Sequence, residues 1–155
     1  MPLSTSNSTD DYTFRQLVPS DLPALYDIRF SVQENRIHPH QVHLLDRSLL
    51  LNQISQGGGC ICESKAEQTA VGICLPIMGE RPMIAVLFIR PTHHRRGIGK
   101  VLLQSSLDWL RNQGATEAYL VTDPGSGADR FYQSLGWHRG GFDQFGVQIA
   151  FTLPL

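Results

Sequence analysis

Apolar residues recur along the chain with two different periods, and the change of period divides it. Leu22, Leu25, Tyr26, Ile28 and Val32 follow one helix face. Ser20 is the N-cap expected for that helix, and Pro23 falls in its first turn, where a missing N–H costs nothing. His38, Pro39 and His40 interrupt it. Val42, Leu45, Leu49 and Leu50 then resume helical spacing, predicting a second helix to about Ile54 that Gly57, Gly58 and Gly59 end. Tyr12–Leu17 reads as a first strand. Short apolar runs over Gly59–Glu63, Ala70–Met78 and Met83–Arg90, separated by Lys65–Gln68 and Gly79–Pro82, predict an antiparallel meander. Helical spacing returns over Gly97–Gln113, where Lys100, Gln104, Asp108 and Arg111 share one narrow polar arc, and Gly114 stops it. Ala118–Thr122 reads as a strand, Ala128, Phe131 and Leu135 mark a short helix closed by Gly136, and two strands are expected near Trp137–Gly141 and Val147–Leu153.

The elements follow one another without a repeat or a long linker, so 155 residues predict one domain over residues 12–155 behind a flexible Ser/Thr/Asp-rich tail over residues 1–11. Hydrophobic residues at 41% and charged residues at 17% exclude a disordered chain. Thirteen basic and fourteen acidic side chains leave a net charge of -1, which provides no global field for a nucleic acid or an anionic membrane. Any anionic ligand must be held locally. No apolar run approaches the ~18 residues of a membrane span, and the first residues show neither a basic start nor an apolar core of a leader, so a cytoplasmic protein is expected. Cys60 and Cys62, two apart, put both thiols on one face of a strand and read as core residues with Cys74. His38, His40 and His43 form an H-x-H-x-x-H cluster that reads as a solvated loop, so no metal is expected.

The chemistry concentrates in Met83–Leu103, MIAVLFIRPTHHRRGIGKVLL, where an apolar strand passes through Pro91 into a basic, glycine-containing turn and then a helix. Arg81, Arg90, Arg95, Arg96 and Lys100 are five fixed positive charges in a stretch to Leu107 that contains no Asp or Glu. Gly97 and Gly99 let the main chain approach a ligand, and the unpaired N–H groups that open a helix suit a pyrophosphate. The spacing excludes two common phosphate cradles. A P-loop needs Ser or Thr after Gly-Lys, and Val101 stands there; a dinucleotide fingerprint needs a small residue where Leu102 stands.

The remaining pattern, a strand followed by His94-Arg95-Arg96-Gly97-Ile98-Gly99 and a helix, resembles motif A of the GNAT N-acetyltransferase superfamily, [QR]-x-x-G-x-[GA], with His94 in place of Gln or Arg. Val121–Trp137, VTDPGSGADRFYQSLGW, resembles the family's motif B: Ala128, Phe131, Tyr132, Gly136 and Trp137 stand at the required offsets, with Gly125 where an Asn is common. Val32-Gln33-Glu34-Asn35 is similar to the V-x-E-N of small stand-alone members.

The resemblance implies an α/β fold with a mixed central sheet of about six or seven strands, splayed at its two middle strands and flanked by about four helices. It implies acetyl-coenzyme A as donor, bound by Leu87, Phe88 and Ile89 on the strand, by His94, Arg95, Arg96, Gly97, Ile98, Gly99 and Lys100 in the turn, and by Gly125, Ala128, Phe131 and Tyr132. Tyr132 is the implied general acid for the leaving thiolate and the Ile89 N–H the implied oxyanion donor. Arg29, Glu34 and Asn35 are expected to bind the acceptor, a small-molecule or peptide amine. The base stays open among Glu34, Asp123, the histidines and an ordered water. A homodimer is compatible with the family. Two rival readings remain: a non-catalytic acyl-coenzyme A sensor, which would release no free thiol in the presence of amines, and a nucleic-acid-binding module, which would bind with steep salt dependence.

Overall fold

The computed structural model describes residues 8–155. Of the tail expected over residues 1–11, residues 1–7 lie outside the described residues. Ser8–Asp11 form a 3-10 turn, tied down where the Lys65 N–H donates to the Asp11 carbonyl at 3.0 Å.

The meander forms as the apolar runs predict. β1 (Tyr12–Gln16), β2 (Cys60–Ser64), β3 (Thr69–Ile77) and β4 (Met83–Ile89) pair antiparallel in chain order. β5 (Glu117–Thr122) then lies parallel to β4, and β6 (His138–Phe142) and β7 (Ile149–Pro154) complete a seven-stranded sheet of order β1-β2-β3-β4-β5-β7-β6. The parallel join is short. Met83 and Tyr119 are its one paired position among the described residues, and beyond it β4 and β5 diverge.

Four helices cover the two faces. α1 (Leu22–Arg29) and α2 (Arg47–Ser55) bury Leu22, Leu25, Ile28, Leu50 and Ile54 against Ile61, Ile73 and Leu75. α3 (Ile98–Asn112) and α4 (Gly127–Ser134) build the opposite core around Leu102, Leu103, Leu110, Tyr132 and Phe151. Lys100, Gln104, Asp108 and Arg111 are all exposed, as the polar arc of α3 requires. Gly72 is what lets α3 lie so close to β3: a Cβ there would stand 3.1 Å from both Ile98 and Leu102. No helix among the described residues is long and apolar enough to cross a membrane.

Two helix boundaries differ from the sequence reading. Ser20 does not cap α1; it sits inside a 3-10 turn, Pro19–Asp21, and Asp21 precedes the helix. The Asp21 carboxylate fixes that turn by accepting from the Val18 N–H at 2.9 Å and from the Arg15 guanidinium at 2.8 Å. α1 also stops at Arg29, so Val32 lies beyond it. Val42 and Leu45 belong to a 3-10 helix, Pro39–Leu45, and α2 starts only after Asp46, whose carboxylate caps it through the Leu49 N–H at 3.0 Å.

Candidate active site

Hydrogen-bond parity decides which part of β4 is open. The Arg90 N–H donates to the Val71 carbonyl at 2.8 Å, so Val71–Arg90 is a hydrogen-bonded pair of the antiparallel ladder, and so is Ile73–Phe88 two residues back. The alternate residues, Leu87 and Ile89, turn their main-chain groups the other way, into the split between β4 and β5. Their side chains pack in the α3 core while Val86 and Phe88 pack on the α1 side. Phe88 therefore departs from expectation: its main chain is spent on β3, and its ring lies under the Arg29 guanidinium at 4.1 Å.

The strand edge runs directly into the basic turn. Pro91–His93 make a single 3-10 turn, Arg95 takes φ of 62° and Gly97 φ of 81°. The left-handed setting costs a residue such as Arg95 about 1–2 kcal/mol, strain of the kind stored at functional sites. Val101 is the first residue to close an intrahelical bond, to the Gly97 carbonyl at 3.3 Å, so the Ile98, Gly99 and Lys100 N–H groups have no partner within α3. Arg95, Arg96 and Lys100 are exposed around them. His94 folds back to donate from Nε2 to the Ile89 carbonyl at 2.8 Å. Arg96 donates to the Tyr12 hydroxyl at 3.2 Å, and that hydroxyl lies 2.6 Å from Nδ1 of the buried His93. His93 Nε2 approaches Glu67 at 2.8 Å outside hydrogen-bond angles. The turn is thus braced against β1 and the β2–β3 hairpin.

α4 brings the second motif to the same place. Ser126 caps it by accepting from the Asp129 N–H at 3.2 Å. Asp129 is buried and holds Arg139 by two contacts of 3.0 Å while accepting from the Gly125 N–H at 2.8 Å. Gly125 takes φ of 77° in that loop, and Ala128 packs at the edge of the α3 core. Phe131 reaches the turn: a Cβ on Gly99 would lie 3.5 Å from its ring. Tyr132 is 5% exposed, with its ring edge-on to Phe131 and Trp137. Burial pushes its phenol well above the usual range, so it is protonated at neutral pH. Burial also pushes the Cys62 and Cys74 thiols up to about 12, which leaves them unionised and poor nucleophiles.

Beyond the split, Asn35 joins three segments. Its Oδ1 accepts from the Thr122 hydroxyl at 2.8 Å and the Asp123 N–H at 2.7 Å, and its carbonyl accepts from Arg29 at 2.7 Å. Glu34 accepts from the Gly127 N–H at 2.9 Å. Glu34 and Asn35 line a cleft of about 330 Å³ with His38, Asp123, Gly125 and Ser126. Arg29 is buried beneath it, its guanidinium pulled below its ordinary range by burial while Asp123 opposes the shift. Of the three residues expected to contact the acceptor, Asn35 spends both side-chain polar atoms on holding the cleft's shape, while Arg29 and Glu34 each spend one. Gln41 and Gln148, which brace His38 and Asp123, were not foreseen. They stand 107 positions apart and carry no motif.

A family model described as the acetyltransferase (GNAT) family matches residues 22–137. The chain belongs to this family. The matched span begins at the first residue of α1 and ends at Trp137, so it contains the split, the turn and α4. Human N-acetyltransferase 8 is 32% identical over 104 residues, 61% of this chain and 45% of that protein, so the chain spans less than half of this relative's length. Among solved structures, the chain resembles PaiA N-acetyltransferase from Thermoplasma acidophilum in complex with coenzyme A at 18% identity and a TM-score of 0.70, covering 93% of this chain and 99% of that one. A GNAT family acetyltransferase from Staphylococcus aureus Mu50 gives 19% and 0.75 over 93% and 99%. Arabidopsis thaliana Naa50 with the bisubstrate analogue CoA-Ac-MVNAL gives 17% and 0.70 over 94% and 99%. At these identities the likeness is one of fold.

Proposed function

We propose that the protein is an acetyl-coenzyme A-dependent N-acetyltransferase that moves acetyl directly from the thioester to a primary amine of a small molecule or a peptide. One arrangement carries the reading: the outward main-chain edge of Leu87 and Ile89 leads into the open N-terminus of α3, with α4 packed on the same turn. An extended pantetheine arm pairs with such an edge as an added strand would, and the amides from Arg95 to Lys100 meet its pyrophosphate with Arg95 and Lys100 beside them. The coenzyme A bound to the Thermoplasma acidophilum enzyme and the analogue bound to the Arabidopsis thaliana enzyme support the choice of donor.

Each residue then has a task. The Ile89 N–H, a fixed dipole in the split, stabilises the oxyanion that forms on the thioester carbonyl. Tyr132 supplies a proton to the departing thiolate; burial keeps the phenol protonated but also makes it a weaker acid, so the transfer is uphill and is driven by expulsion of the thiolate as the tetrahedral intermediate collapses. Ala128 and Phe131 wall the arm, and Gly125 shapes the loop. The buried, unionised thiols offer no acyl-enzyme route, which favours direct transfer, and three free cysteines suit a reducing cytoplasm.

Calorimetry with acetyl-coenzyme A and a thiol-release assay with an amine panel test this reading together. Binding with amine-dependent thiol release is expected. Binding without release under any amine would favour the acyl-coenzyme A sensor, and no heat of binding would remove both.

A further inference from the structure

Asp123 is the first residue after β5, and it is held more firmly than a loop carboxylate needs to be. Its Oδ1 accepts from His38 Nε2 at 2.8 Å and from Gln148 Nε2 at 3.0 Å. Gln148 is in turn fixed by Gln41, which donates to its Oε1 at 2.8 Å. The Asp123 main chain is pinned by Asn35 through its N–H at 2.7 Å. Two loops distant in sequence therefore converge on one oxygen of one carboxylate. The other oxygen, Oδ2, has no protein partner among the described residues.

The position is a reachable one. Asp123 and His38 side chains are each 27% exposed, and both line the 330 Å³ cleft. Asp123 follows directly on Thr122, the last residue of β5, on the strand that parts from β4 beyond the Met83–Tyr119 pair. Of the other charged groups around the cleft, Glu34 accepts from the Gly127 N–H through Oε1 alone, Arg36 donates to Gln33 at 2.8 Å, and the buried Arg29 lies on Phe88, donates to the Asn35 carbonyl and feels the Asp123 charge from beyond ion-pair distance. Glu34 Oε2 and Asp123 Oδ2 are the carboxylate oxygens left over in the cleft, and of the two carboxylates only that of Asp123 is oriented by two side chains, His38 and Gln148, while Glu34 is exposed.

We propose that Asp123 is the docking carboxylate for the acceptor's ammonium group, with His38 and Gln148 as positioning residues, so that the substrate class is a primary alkylamine taken up as its cation. The assignment rests on the acetyltransferase reading above and deepens it. An alkylamine with a pKa of ~10.4 is almost wholly protonated at neutral pH, so a site built for the cation collects the abundant form, whose nitrogen becomes the nucleophile only after one proton passes to a base or to water. Charge-assisted N⁺–H···O⁻ bonds are short and directional, and a carboxylate with one oxygen already oriented presents the other without reorganising. Neutral alcohols of the same shape gain none of this.

The test uses the full chain saturated with coenzyme A, with n-hexylamine and its uncharged isostere 1-hexanol as probes and the side-chain ¹⁵N signals of His38 as the readout. Hexylamine is expected to shift the His38 signals saturably and hexanol to leave them still. Asp123→Asn, which keeps the shape and removes the charge, is expected to weaken hexylamine at least tenfold with the calorimetric affinity for coenzyme A unchanged. His38→Ala is expected to weaken hexylamine severalfold and to leave coenzyme A binding intact. An Asp123→Asn protein that binds hexylamine as the wild type does, or a wild-type His38 that answers both probes alike or neither, overturns the assignment. Loss of coenzyme A binding in the wild type is a separate result: it overturns the acetyltransferase reading and this assignment with it.

Discussion

His94 Nε2 donates to the Ile89 carbonyl at 2.8 Å, which ties the first side chain of the basic turn to the last residue of β4. The family pattern favours Gln or Arg at this position, and both could also donate. The bond uses the Ile89 carbonyl and leaves the Ile89 N–H facing the split, so it fixes the turn relative to the proposed oxyanion donor. A single hydrogen bond is worth about 1 kcal/mol, or roughly fivefold in a binding constant. His94→Ala should raise the KM for acetyl-coenzyme A about fivefold with a smaller change in kcat, and His94→Gln should recover most of the loss. Steady-state kinetics at saturating amine decide it; a KM unchanged in the alanine variant would show that the turn holds its shape without the imidazole.

Tyr132 packs its ring against Phe131, Trp137 and Phe151, so its hydroxyl is the only atom that Tyr132→Phe removes. Packing survives, and the proton donor does not. General acid catalysis contributes typically ~10²–10⁴-fold, which sets the expected fall in kcat. The affinity for acetyl-coenzyme A, read by calorimetry, should stay within about twofold. A phenylalanine variant with full turnover removes Tyr132 from the mechanism and leaves it a core residue.

The parts of this molecule that local pattern controls were legible in the chain. The polar arc from Lys100 to Arg111 fixed which face of α3 is wet, and the glycine-punctuated runs gave the meander and its order. The turn and α4 could be found because their marks are local: Gly97 and Gly99 among basic residues, and Ala128, Phe131 and Leu135 at helical spacing before Gly136. The segment from Phe30 to Asp46 resisted for the opposite reason. Its conformation is set by bonds from Asn35, His38 and Gln41 to Asp123 and Gln148, 85 to 107 positions away, and Val42 is exposed there despite its apolar spacing. Likewise the one-residue alternation that separates Leu87 and Ile89 from Phe88 depends on pairing register with β3, which no single strand reveals.

Gly58 has no room for a side chain. A Cβ there would stand 2.3 Å from the Trp109 ring, which is held in place at the edge of the α3 core. The ring is bulky and rigid, so Gly58→Ala must displace α3 or the start of β2. Overpacking of this kind costs typically 1–3 kcal/mol, which for a domain of this size lowers Tm by several degrees. Gly79→Ala is not a clean control, because Gly79 takes φ of 37°; Gly141→Ala, which meets nothing within 4 Å and has no such φ, is. Calorimetric melting of the two variants should separate them. Equal melting temperatures would mean that Trp109 yields more easily than its packing suggests.

Acid should weaken the loop that carries Gly125 before it weakens the split between β4 and β5. The Arg139 guanidinium holds the Asp129 carboxyl at about 2, helped by the Gly125 N–H and Gln133 and opposed by desolvation. Asp21 is lowered in the same direction by Arg15, again against desolvation. Both groups have a folded pKa below the unfolded carboxylate value near ~4, so the native state binds fewer protons and stability is fully present above that range. It is lost as pH falls through about 4 towards about 2. Melting temperatures measured from pH 7 to pH 2 should be flat at first and then decline steeply. Asp129→Asn should lower Tm by a few degrees at pH 7, because a neutral amide cannot pair with Arg139, and should make the acid decline shallower for the same reason. A variant whose decline runs parallel to that of the wild type would show that the Asp129–Arg139 pair contributes nothing to the acid response.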